Sequence, residues 1–378
     1  MNTSRQWLRY LIILLGGFGL TLLAFAAYGY ATNHTATKAP DTTGKLTALD
    51  KARLAEAAHL RHTLGNRVWG GFGDAPIPVA LWDENTVFLT GYPAFPQGWE
   101  LVPNDLFENK PYYRKPYHGE NNFTFRIGKT WTASMATKLE TDRYIHRSFR
   151  RLIPGFLDPV FPYHLFDTSS EIQLTGVIQE SFHAYQASTS PENFNRALHT
   201  AKNHDRYWQT CNTSQMLKLW LTETKKLVAA LDAPDNQETR LHIREFFAIR
   251  GKRRTACPLD RTLQSYETSL EWLHGLAKYT AVKIWQTASV TPSYHPVPQM
   301  ENDPAFEGYH AFGKFRQREI NQITSAVGKD TDARFTNSGL LQAYLLDRLM
   351  PNWQMLVFRQ GATLENLLRK AAEEIPGG

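Results

Sequence analysis

The feature that most limits what this chain can become is its start. Arg5 and Arg9 precede a nearly uninterrupted apolar run from Tyr10 to Tyr30 (YLIILLGGFGLTLLAFAAYGY). About 20 such residues suffice to carry a helix through the hydrocarbon of a bilayer, so the run predicts one transmembrane helix over residues 10–30. The two cations place residues 1–9 in the cytoplasm and the remainder on the extracytoplasmic side, periplasmic or extracellular, by the positive-inside rule. A cleavable signal peptide is the alternative reading, because Ala24-Phe25-Ala26 fits a small-x-small cleavage site. The length of the run and the bulky Tyr28 and Tyr30 favour an uncleaved membrane anchor.

Residues 31–45 (ATNHTATKAPDTTGK) lack hydrophobic periodicity and predict a flexible stalk. The exported domain then covers residues 46–378. With 42% hydrophobic, 21% charged and 12% aromatic residues, the chain is a folded protein with a large core, which excludes a disordered tail or a disulfide scaffold. Its net charge of +6 is spread along the sequence. The densest basic run, Arg250, Lys252, Arg253 and Arg254 around Gly251, reads as a solvated helix end or loop. No nucleic-acid-binding fingerprint is present. Cys211 and Cys257 can form one disulfide in an oxidising compartment or remain two unpaired thiols.

Residues 66–165 are punctuated by Gly and Pro between short β-branched and aromatic runs, which predicts a small twisted sheet. Strands are expected at residues 78–82, 86–90 and 123–127, with Asp83-Glu84-Asn85 closing a hairpin. A first helix is expected to end near Gly65, and residues 169–378 read as helical throughout. The expected class is α+β and predominantly helical, with a small N-terminal sheet.

The segment richest in chemistry is Thr175-Gly176-Val177-Ile178-Gln179-Glu180-Ser181-Phe182-His183-Ala184-Tyr185-Gln186. On a helix, positions 179 and 183 stand one turn apart on one face. In a His-Glu-x-x-His zinc hydrolase, two histidines at that spacing hold the metal and the Glu takes a proton from metal-bound water. Here the first of those positions is Gln179. The stretch Glu180-Ser181-Phe182-His183-Ala184-Tyr185-Gln186 resembles the active-site helix of gluzincin-like zinc metallopeptidases of the His-Glu-x-Phe-His and Tyr-Gln type. The later run LEWLHGLAKY, Leu270 to Tyr279, is similar to the helix that supplies the third ligand in that group.

That resemblance implies a zincin-like domain, zinc as cofactor, a peptide or protein substrate, and Glu180 as general base. It carries over one ligand position, His183. His274 stands where the group has its ligand Glu, and Glu271 or Gln179 would have to complete the set, although a neutral amide is a weak zinc ligand. Tyr309 and His310 are further candidates for a transition-state hydrogen bond. Simpler readings accompany each residue. Glu267, Glu271, His274 and Lys278 fit a solvated helix face, and Glu180 with His183 fits a structural contact in a protein that has lost its metal. Two functions therefore stand: a membrane-anchored peptide or amide hydrolase, and an inactive binding or scaffold protein of the cell envelope.

Overall fold

In the computed structural model, residues 20–21, 23–33, 44–211, 213–325 and 332–373 are described. Thr47 opens the first long helix, α1 (Ala48–Val68), by accepting a hydrogen bond from the Asp50 amide, which satisfies one of the donors a helix start leaves free. Apolar residues at helical spacing, Leu54, Ala57, Leu60 and Leu64, are buried against the body. The chain then builds a six-stranded sheet from β1 (Val79–Trp82), β2 (Thr86–Thr90), β3 (Glu100–Leu101), β4 (Tyr113–Pro116), β5 (Phe125–Ile127) and β6 (Thr130–Ala136). Strand order is β3-β4-β2-β1-β6-β5. All neighbours run antiparallel except β1 and β6, which are parallel.

The sheet has two buried faces. Leu81, Phe88 and Met135 join the main core, whereas Ala80, Val87 and Leu89 pack beneath Trp99 and Tyr113 on the other side. A helix that sequence reading overlooked, α2 (Lys138–Arg150), follows β6 and is capped by Thr137. Across the inner face lies α3 (Ser170–Thr189), the helix that carries Glu180 and His183. Gly176 of α3 faces Met135 of β6 so closely that a Cβ would meet the Met135 methyl at 2.8 Å.

The remainder is helical: α4 (Pro191–Ala201), α5 (His204–Thr210), α6 (Ser214–Asp232), α7 (Asn236–Ala256), α8 (Arg261–Leu270), α9 (Leu276–Val290), α10 (Phe312–Ser325), α11 (Ala333–Leu349), α12 (Trp353–Val357) and α13 (Leu364–Glu373). A single π-helical turn, Glu271–Gly275, joins α8 to α9. Cys211 and Cys257 are disulfide-linked, with Cα atoms 5.2 Å apart, and tie the end of α5 to the end of α7.

The fold is α+β and mostly helical, and the N-terminal expectation requires correction. Among the described residues no helix is long and apolar enough to cross a membrane, so the expected spanning helix forms no part of the observed fold. Residues 10–19 and 22 of the expected span lie outside the described residues. Residues 23–33 are helical and lie against the body; Asn33 Nδ2 donates to the Phe161 carbonyl at 2.8 Å. Most of the expected stalk, residues 34–43, is likewise outside the described residues, while its first three residues complete that helix.

The basic run is corrected as well. Helix α7 continues through Gly251, and Arg250 and Arg253 are fully buried. Arg250 grips Glu271 with two nitrogens at 2.6 and 3.1 Å and reaches Glu365 and Glu223 at 3.0 and 3.3 Å. Arg253 pairs with Glu223 and Glu267 at 2.5 Å each. Arg254 closes the network onto Glu267 and Glu365, both at 2.7 Å. Buried charges persist only when paired and hydrogen-bonded, and this network meets that demand from four helices and the π turn.

Candidate functional site: a buried imidazole pair

Helix α3 and the π turn bring together two of the side chains singled out from sequence. His183 Nε2 and His274 Nδ1 are 3.3 Å apart, with the rings nearly perpendicular at 88°. In an α-helix residues 271 and 274 would share a face. The wider π turn separates them, so His274 faces His183 while Glu271 faces Arg250. Such turns are rare, and this one lies at a close crossing with α11. A Cβ on Gly275 would fall 2.5 Å from the Gly339 Cα, and one on Gly339 would fall 2.4 Å from the Glu271 carbonyl oxygen.

The protonation of the pair follows from its neighbours. Gln186 donates Nε2 to the Trp272 carbonyl at 3.0 Å, which turns its Oε1 toward His183 Nδ1 at 2.9 Å. An amide oxygen only accepts, so His183 Nδ1 carries the ring proton and Nε2 carries the lone pair. His274 Nδ1 then donates into that lone pair. Both rings stay neutral. Burial, and then the neighbouring His274, holds His183 well below the usual imidazole range, and burial pushes His274 down to about 4 despite the opposing field of Asp332. Phe123 covers both rings, with centroid distances of 4.9 and 6.0 Å.

The other predicted residues are elsewhere or otherwise engaged. Glu271 is fully buried and bound by Arg250 and by Ser338 Oγ at 2.6 Å; it belongs to the ion-pair network, as does Glu267. The solvated-face reading of these two carboxylates is thereby corrected. Gln179 is half-buried on α3. Tyr309 donates to Glu56 Oε1 at 2.6 Å, as Tyr294 does at 2.8 Å, so it serves the anchoring of α1. His310 is exposed. Glu180 is buried, its Oε2 has no hydrogen-bond partner among the described residues, and burial pushes its carboxyl well above 4.5. Taking a carboxylate out of water without a partner penalises its charged form, which is the cause of that upward shift.

These donors do not fit a zinc site. Two nitrogens bound at about 2.0–2.1 Å to a tetrahedral zinc stand roughly 3.4 Å apart, so the imidazole spacing alone is compatible with a shared metal. The third donor decides the matter, because protein zinc sites use at least three side chains. Glu271 is committed to Arg250, and among the described residues no three His, Cys, Asp or Glu side chains converge as a metal site.

Sequence reading missed Phe123 and the role of Gln186. The Gln lies inside the segment that suggested chemistry, whereas nothing local marks a Phe 60 residues before His183. On another side of α3, Val177 and Ser181 line a cleft of about 350 Å³ bounded by α1 and the β1–β2 hairpin. Its walls include Leu54, Ala57 and Ile77, with Arg61, Lys110, Asp74 and Glu108 also lining it. In comparisons with family models, curated proteins and solved structures, the chain matches none.

Proposed function

We propose that this chain is a non-catalytic, metallopeptidase-like binding protein of the cell envelope, in which the former reaction helix has become a structural element. The observation that carries this reading is the closed hydrogen-bond chain Trp272 carbonyl, Gln186, His183, His274. It consumes the lone pair that a metal would need, while the nearest carboxylate on the second helix neutralises an arginine.

The cleft beside Val177 and Ser181 is the place for a ligand. It combines apolar walls with charged groups of both signs, which suits a short peptide segment carrying charged side chains. The disulfide between Cys211 and Cys257 supports an extracytoplasmic setting. The test is retention of a mixed peptide library by the full chain and by Ala58→Trp, a half-buried cleft position on α1, with the peptides read by mass spectrometry. Peptides retained intact by the wild type and lost by the variant are the expected result. Cleavage products that vanish in Glu180→Gln would overturn the reading.

A further inference from the structure

Large apolar side chains left on the surface are concentrated in two segments far apart in sequence. Leu20, Leu23, Phe25, Tyr28 and Tyr30 are all about half-exposed or more, and so are Leu152, Phe156 and Leu165, with Leu157 and Phe166 close behind. Phe156 is 81% exposed and Leu152 77%. The fold sets the two segments side by side. Asn33 Nδ2 donates to the carbonyls of Pro159 and Phe161 at 3.3 and 2.8 Å. Tyr28 meets His164 edge-on at 4.8 Å. Gly29 lies so near the loop that a Cβ would come within 1.9 Å of the Val160 carbonyl oxygen. An apolar patch joined across more than 100 residues of sequence, and kept exposed, marks a contact surface.

We propose that the loop at residues 151–166, together with the helical residues 23–33 seated on it, docks into the interfacial zone of a lipid bilayer. The loop is locally braced, and the groups around it are those of a membrane–water boundary. Several of its amides make short local bonds: Leu152 to the Phe149 carbonyl at 2.8 Å, Leu157 to Pro154 at 2.9 Å, Val160 to Leu157 at 3.1 Å and Leu165 to Pro162 at 3.1 Å.

Charge agrees with that occupant. Arg150 is balanced by Asp158 at 3.2 Å, and the adjacent Arg151 is an exposed cation available to anionic headgroups. Tyr28 and Tyr30 are amphipathic rings of the kind that favour the membrane–water boundary. Pro154, Gly155 and Phe156 are all exposed. This surface is independent of the ligand cleft and of the imidazole pair.

The experiment uses the full chain in vesicles of mixed phosphatidylcholine and phosphatidylglycerol. The two native cysteines are locked in a disulfide, so a single nitroxide can be attached at Phe156→Cys, at Leu152→Cys, or at the control Met355→Cys, which is 70% exposed. The ratio of oxygen to water-soluble nickel-complex accessibility is read by electron paramagnetic resonance. A ratio several-fold higher at 156 and 152 than at 355 is expected. Equal ratios at all three positions overturn the proposal. So does exclusion of both reagents with spin–spin broadening at 156, which assigns the patch to a second copy of the chain.

Discussion

Replacing Glu180 by Gln probes the most unusual group in the site. The wild-type carboxyl is buried, lacks a hydrogen bond at Oε2 and is pushed toward its neutral form in the folded chain by burial. In the unfolded chain it ionises near the ordinary value of 4.5. Above that pH the unfolded state releases a proton that the folded state keeps. Wild-type stability therefore falls as pH rises, by about 1.4 kcal/mol per unit, until the raised folded-state value is passed. The amide variant has nothing to titrate, so its stability relative to wild type should grow with pH. Between pH 5 and 7 the gain has a ceiling of about 3 kcal/mol, less whatever local relaxation admits. His183 and His274 act in the opposite direction: held below 6.5, they cost stability as pH falls from 6.5 toward the folded value, about 4 for His274. They are common to both proteins and cancel in the difference. Urea unfolding of wild type and Glu180→Gln at closely spaced pH values gives that difference directly. A pH-independent difference, or a variant less stable than wild type at pH 7, would show a charged and partnered Glu180 and refute the reasoning.

Three further outcomes follow from the packing. Gly339→Ala forces a methyl to within 2.4 Å of the Glu271 carbonyl oxygen, so thermal unfolding should report a loss of about 2–3 kcal/mol; an unchanged midpoint would show that the two helices can separate freely. Arg250→Met removes the group that compensates Glu271, Glu223 and Glu365, and denaturant unfolding should lose about 3–5 kcal/mol at neutral pH, with part of it recovered when Glu271→Gln is added. Reducing the Cys211–Cys257 disulfide opens a loop of 46 residues, for which chain entropy gives an upper figure of about 4 kcal/mol, measured as the shift in urea midpoint with and without reductant.

How much of this was legible in the sequence depends on whether the signal is local. Periodicity placed the end of α1 and the β1–β2 hairpin close to their observed limits, because apolar faces at period 3.6 or 2 are fixed within one element. The two histidines were singled out and do meet. The helix α2 was overlooked although Thr137 and Glu140 carry a helix-start spacing, since the surrounding Gly- and Pro-rich context dominated. The strand β6 is buried along its last five residues and shows no alternation to read. Misreading Arg250 and Arg253 as solvated had a different origin: their carboxylate partners sit 14 to 115 residues away, and no local feature announces pairing at that range. The π turn is equally invisible, because it answers a helix crossing at Gly275 and Gly339 rather than a propensity of Glu271–Gly275.

The central claim is that the imidazole pair is joined by a hydrogen bond and not by a metal. Its most direct test is elemental analysis of the full chain purified without chelator, followed by zinc addition and thermal unfolding of wild type and His183→Ala. The account predicts no stoichiometric metal, and a wild-type unfolding temperature that neither zinc nor chelator shifts. One zinc per chain, lost in His183→Ala and lowering the unfolding temperature when stripped, would contradict it.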